Sequence, residues 1–478
     1  MKRTLWKLTA WAALAPGLSG SVAVAQNTWT GGTGNWETPS NWSVGAPLTG
    51  TTVTLDNGGT AEVDTLVFEV PGRISVASVA GSSGTIDVKP NGNLAADRIV
   101  IGEAGAATAV VNDGFLIAGG GSLFVGSDQQ NATGLSGSGV LTLNDGAVAL
   151  SGDDFQVASQ GTGVVNFNSG SYGSGIYTVV GKFGSATWNQ AGGVYYHAGG
   201  DVEIGDGGRP DQFGTPGPRE GTINLSGGAM RVSNALAIGN RIGTGEVNVS
   251  GGGLAITGDG ASEIGDGREN ILYIGRGADW TPADVAANGV TGNDVTFRVI
   301  GDDSVIAVGL DLVMDQNDVF ASSTLVAQIT GPTHTPILIG RNADIKNGDF
   351  RVELNGYSPV AGDEWSILQT NVDLSDALAS FDAIVAAENV DFYDRVGNLL
   401  TDVPPIVHNN NAVTENANDP SYVGVDGPFQ NVDFSAASLS AGLAFELEYL
   451  SDEVLLKVVS TGSLPGDFDG DNDVDGDD

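Results

Sequence analysis

Cysteine is absent from the 478 residues, and histidine nearly so, with only His197, His334 and His408. Thiol chemistry and disulfide stapling are therefore excluded, and a site centred on imidazole has few options. Cations are scarce as well: 19 Lys and Arg stand against 58 Asp and Glu, a formal charge of −39. Such a field repels nucleic acid and anionic lipid and favours divalent cations. After the first two dozen residues no stretch approaches the roughly 20 apolar residues of a transmembrane helix. The chain has no P-loop, no zinc-type helix motif and no nucleophile elbow.

The amino terminus reads as a secretory signal over residues 1–25. Lys2, Arg3 and Lys7 precede the apolar stretch Leu8 to Leu18, and Ala23-Val24-Ala25 offers a small-residue cleavage site. Removing it takes away three cations, so the charge moves from −39 to −42. The expectation is an exported protein, extracellular or at the cell surface of a bacterium. Asn-x-Ser/Thr sequons at Asn41, Asn131, Asn224 and Asn248 read in that setting as chance matches.

Glycine is what the chain has in excess: 73 residues, against an average usage of about 7%. They have no three-residue period, which excludes collagen. Instead, Ile-Gly or Val-Gly recurs at Ile101-Gly102, Val125-Gly126, Val180-Gly181, Ile204-Gly205, Ile238-Gly239, Ile264-Gly265 and Ile274-Gly275. Several spacings fall near two dozen residues, the period of stacked coils.

The coil GTINLSGGAMRVSNALAIG, from Gly221, shows the template. Ile223 and Leu225 alternate with polar neighbours, Gly227-Gly228 turn the chain, Met230 and Val232 alternate again, and Leu236 and Ile238 make a third strand. Period-two alternation places each apolar set on one face. Three such faces around one axis predict an all-β, right-handed parallel β-helix, of roughly eight to ten coils and on the order of 40–50 Å long. Asn166, Asn189, Asn224 and Asn248 share one outward place, flanked by Thr142 and Asp87, as a hydrogen-bonded ladder would require.

Five segments follow from the pattern: the signal (1–25), a Trp-rich cap with first strands (26–80), β-helix repeats (81–290), a less regular β region that continues and caps the solenoid (291–460), and a linker with an acidic tail (461–478). Trp29, Trp36 and Trp42 in the cap read either as a plug over the first coil or as an aromatic platform for sugars. Gln190 and His197 fall at interior places of their coil. They read as buried polar groups satisfied by turn carbonyls, or as a polar pocket with Tyr195 and Tyr196. The insertion from Gly207 to Glu220 offers Arg209, Asp211 and Arg219 as loop candidates. Asp373 to Ala387 reads as a short helix, and Leu443 to Val459 as a closing hairpin.

The tail, GDFDGDNDVDGDD, carries the most specific chemical pattern. Asp467, Asp469, Asp471, Asp473, Asp475 and Asp478 fall at positions 1, 3, 5, 7, 9 and 12 of a calcium loop. Asn472 stands where Gly usually makes the sharp turn, and Asn tolerates left-handed geometry. The pattern stops at position 12, so the calcium site is expected to be completed in a longer natural protein. The competing reading is a solvated acidic linker.

The W-x-G-G-x-G-x-W opening with Asn41-Trp42, the Gly-Gly coils ending in Ile-Gly, the GYSPVAGDEWSIL stretch and the Gly442-Leu443 hairpin carry a resemblance. The chain resembles the large exported bacterial proteins with autotransporter-associated β-strand repeats. Many of these end in a PEP-CTERM sorting signal or a dockerin-like tail, and the tail here resembles a dockerin type I loop. The resemblance implies a surface β-helix with a structural, adhesive or scaffold role, its tail docking a cell-surface or cohesin-like partner. The alternative is a β-helix that binds or degrades polysaccharide. Some β-helix proteins cleave acidic polysaccharides with Asp-held calcium and a basic Arg. Asp201, Glu203 and Asp206 beside Arg209 fit that pattern, although acids on a rod are usually solvent-facing.

Overall fold

A computed structural model describes residues 26–461, apart from 68, 129–136, 198, 208–218, 258–269, 289–292, 317, 391, 394–398 and 401–423. The signal, the acidic tail with Asp467, Asp469, Asp471, Asp473, Asp475 and Asp478, and Arg209, Asp211 and Ile264-Gly265 lie outside the described residues.

Each coil has three short strands, for example Glu220–Leu225, Ala229–Val232 and Ala235–Ile238. Equivalent strands of successive coils pair in parallel, so the chain builds three long sheets. Among the described residues sheet I has 13 strands, from Gln26–Thr28 to Gly424–Asp426, and carries the Ile-Gly strands. Sheet II has 12, from Asn93–Ala96 to the closing hairpin. Sheet III has 13, from Thr33–Asn35 to Asn431–Asp433. The expected all-β parallel β-helix is the fold. Thirteen rungs at about 4.8 Å give a stack on the order of 60 Å. That exceeds the eight to ten coils expected, because strands with weak patterns at both ends keep the same pairing.

In-register pairing turns local alternation into continuous columns. On sheet III, Leu141, Val165, Trp188, Ile223 and Val247 follow one another inward, each at most 2% exposed. The outward row Asn166, Asn189, Asn224 and Asn248 makes the expected ladder, with amide-to-amide hydrogen bonds of 3.1, 2.9 and 2.9 Å. Arg298 ends it by donating to Asn248 Oδ1 at 2.6 Å. A second ladder joins Asn112, Asn144 and Asn168.

The Ile-Gly pairs have a steric cause. Gly102, Gly126, Gly181, Gly205, Gly239 and Gly275 all hold positive φ. A Cβ at Gly181 would meet the Glu220 carbonyl oxygen at 1.9 Å. Ala77 and Ala158 occupy the same place with φ of 56° and 52°, so the left-handed turn is the fixed requirement and glycine its usual solution.

Trp29, Trp36 and Trp42 are buried and meet edge to face at 4.9 and 4.8 Å, a plug at the first coil and not an exposed sugar platform. At the other end the antiparallel strands Leu443–Tyr449 and Glu453–Ser460 close sheet II by pairing with Glu364–Gln369. The helix Ser375–Glu388 lies on the outer face of sheet II, with Leu378, Phe381 and Val385 against Val194, Ala229 and Ala255. Among the described residues no helix is long and apolar enough to cross a membrane.

Candidate functional site

Where a left-handed glycine ends a sheet I strand, it swings the following residue over the outer face of that sheet. Those residues are Lys182, Asp206, Asn240 and Arg276 in four coils. The strands themselves contribute an outward row of Gln156, Val179, Glu203, Ala237 and Tyr273, paired rung by rung. Between the two sets lies an open-sided cavity of about 600 Å³.

Here the solvent-facing expectation for the acids fails. Asp201, Glu203 and Asp206 are 3%, 8% and 0% exposed, because flanking coils cover them with two arginines. Arg276 donates to Asp201 Oδ2 at 2.5 Å and to Asn240 Oδ1 at 3.0 Å. Asn234 donates to the other Asp201 oxygen at 2.6 Å. Arg241 donates to Asp206 and, at 3.2 Å, to Asp279, while Asn240 also donates to Asp206 at 3.1 Å. Lys182 Nζ stands 3.9 Å from Asp206 Oδ2, an oxygen that accepts no hydrogen bond among the described residues.

Glu203 is the exception in this network. Its carboxylate is 3.9 Å from Arg241 and has no hydrogen bond among the described residues. Burial first, then the Asp206 charge, push it up to about 8 against the opposing pull of Arg241. Asp154 on the cavity wall is also raised, by burial and by Asp153. A neutral Glu203 carboxyl is both donor and acceptor.

Sequence reasoning brought Asp201, Glu203 and Asp206 together correctly but missed Arg241, Arg276, Asn240 and Lys182. For all but Arg241 the signal was available in the residue after an Ile-Gly or Val-Gly pair, the place that Lys182, Asn240 and Arg276 share with Asp206. Arg219 is partly buried with φ of 59°, and burial lowers its pKa.

The other expected polar group is interior. His197 Nε2 lies 2.7 Å from the Gly200 carbonyl, so that nitrogen carries the proton, and Nδ1 accepts from Ser174 Oγ at 2.6 Å. Gln190 donates to the Ala229 carbonyl at 2.9 Å. Tyr195 points inward and donates to Thr178, whereas Tyr196 points outward beneath Arg231. His197 and Tyr195 are buried and satisfied by the Gly200 carbonyl and by the Ser174 and Thr178 hydroxyls, whereas Gln190 Oε1 is buried and accepts no hydrogen bond among the described residues. In a second charge cluster on sheet I, the partly exposed Arg73 and Arg98 meet the buried Asp128 at 3.0 and 2.8 Å.

Among the described residues no three His, Asp or Glu side chains are grouped so as to hold a metal ion. No family model, no curated protein and no solved structure matches this chain.

Proposed function

We propose that this is an exported, cell-surface β-helix protein with a structural or adhesive scaffold role, anchored through a calcium-binding tail. The observation that carries the proposal is the continuity of the stack, in which 13 rungs bury one apolar interior while the outward polar rows satisfy themselves in ladders. A repeat array of this kind offers length and rigidity. The Asp467, Asp469, Asp471, Asp473, Asp475 and Asp478 loop would supply calcium-dependent docking to a cohesin-like or other surface partner. The test is attachment of the full-length protein to cells of the producing bacterium. Calcium should promote retention, EGTA should release the protein, and Asp467→Ala with Asp471→Ala should abolish retention. Attachment indifferent to calcium and to both substitutions defeats the anchoring role.

The cavity over sheet I favours a second reading, in which the rod also engages polysaccharide. A panel of polysaccharides with and without calcium separates the alternatives. Release of reducing or unsaturated ends that disappears with Asp206→Ala would replace the scaffold by an enzyme.

A further inference from the structure

We infer that the cavity over sheet I is a binding site for an uncharged, hydroxyl-rich ligand, a segment of neutral oligosaccharide, with Glu203 as its central contact. The inference rests on the polysaccharide-binding reading and narrows it to one chemical class.

Three observations carry it. First, the cavity's 600 Å³ lies within the roughly 300–1,000 Å³ of small-molecule sites. Second, Glu203 lines it with a side chain only 10% exposed and no hydrogen bond among the described residues. The carboxyl faces the open cavity, so a ligand hydroxyl could take the place of water on a group that no described protein group bonds. Third, the wall is mixed in sign. Lys182, Arg241 and Arg276 share it with Asp154, Asp201, Glu203 and Asp279. Three cations disfavour an amine ligand, while Asp154, Asp201 and Asp279, with Asp206 behind them and the charge of −39, disfavour a uronate. Hydroxyl groups both donate and accept, which suits such a wall without adding charge.

Glu203→Leu removes the contact at nearly constant volume, and Glu203→Gln preserves a donor and an acceptor. The full-length chain should be titrated by calorimetry with tetrasaccharides of neutral glucan, mannan and xylan, and with tetragalacturonate and chitotetraose in its deacetylated, cationic form. At least one neutral tetrasaccharide should bind. Its affinity should fall tenfold or more in Glu203→Leu and stay within about threefold in Glu203→Gln. Gln156→Ala, an independent variant on the same wall, should weaken binding as well, with an unchanged circular dichroism spectrum confirming the fold. Binding of only the galacturonate or the chitosan oligomer would overturn the ligand class but leave polysaccharide recognition standing. Binding of none of the five, or neutral binding untouched by Glu203→Leu and Gln156→Ala, would overturn the site itself.

Discussion

Arg276 and Asp201 are 75 positions apart in the chain, yet their side chains meet at 2.5 Å beneath the outer surface of sheet I. Both are almost fully buried. Removing one partner of such a pair leaves an uncompensated charge, at a cost of about 3–5 kcal/mol. Arg276→Met should therefore lower the melting temperature sharply. Adding Asp201→Asn to it should recover much of the loss. If the double variant melts no higher than the single one, the pair does not account for the stability of this region.

Gly181 and Ala158 occupy equivalent turns with different tolerance. A side chain at Gly181 meets the Glu220 backbone and an unfavourable φ of 79° together. Gly181→Ala should destabilise by several kcal/mol, beyond the roughly 1 kcal/mol of the backbone conformation alone. Ala158→Gly relaxes a φ of 52° and should change stability by less than about 1 kcal/mol. Thermal melts of the two variants give the comparison, and equal effects would contradict it.

His197 is neutral in the fold because burial pushes it down to about 4, and His334 is pushed to about 4 by the same cause. Between that value and the ordinary 6.5 the unfolded chain binds more protons. Stability is then lost as pH falls through this window, on the order of 2–3 kcal/mol for one such histidine. His197→Gln keeps a donor for Gly200 and an acceptor for Ser174 but does not titrate. Denaturant midpoints from pH 7 to 4 should show a shallower slope in the variant, with the remainder due to His334. Parallel slopes would disprove the assignment.

Glu203 has the opposite sign. Its folded value lies above the ordinary one, so the fold binds the extra proton, and stability falls as pH rises from about 4.5 towards 8. Asp201 and Asp206 reinforce this, while Arg241 and Arg276 oppose it. Glu203→Gln should gain stability over the wild type at pH 8–9 and show little difference at pH 5. The measurement is the same melt at both values.

The Asn ladder can be interrupted at its middle. Asn224 donates to Asn189 and accepts from Asn248, each at 2.9 Å. Asn224→Ala should cost about 1–3 kcal/mol for the two bonds. Asn224→Thr should cost less, since Thr142 already stands in this row. A cost confined to the level of an ordinary surface substitution, about 0.5 kcal/mol, would mean that the ladder is passive.

Much of the coil was legible because its causes are local. Ile223, Leu225, Met230 and Val232 reveal their faces by spacing alone, and the positive φ of Gly205 or Gly239 follows from one turn's geometry. The helix at Ser375–Glu388 was legible as a helix, since its composition suits one. Its seat was not: Phe381 rests on Gly253, whose Cβ would lie 2.6 Å from the ring, a contact between segments more than a hundred residues apart. The pairing of Arg241 with Asp206 was equally hidden, because an insertion of unpatterned length separates their coils.

The amino-acid order by itself determined a cysteine-free, acidic chain that must stack three-sided coils, since alternation and glycine turns leave it no other way to bury its apolar half. Only the tertiary structure decided which charges face each other, that the three tryptophans are sealed inside, and that one carboxyl over sheet I is left without a hydrogen bond. The reason is register: parallel stacking pairs residues from 21 to 82 positions apart, and the insertions between strands, not the repeat itself, set which ones meet.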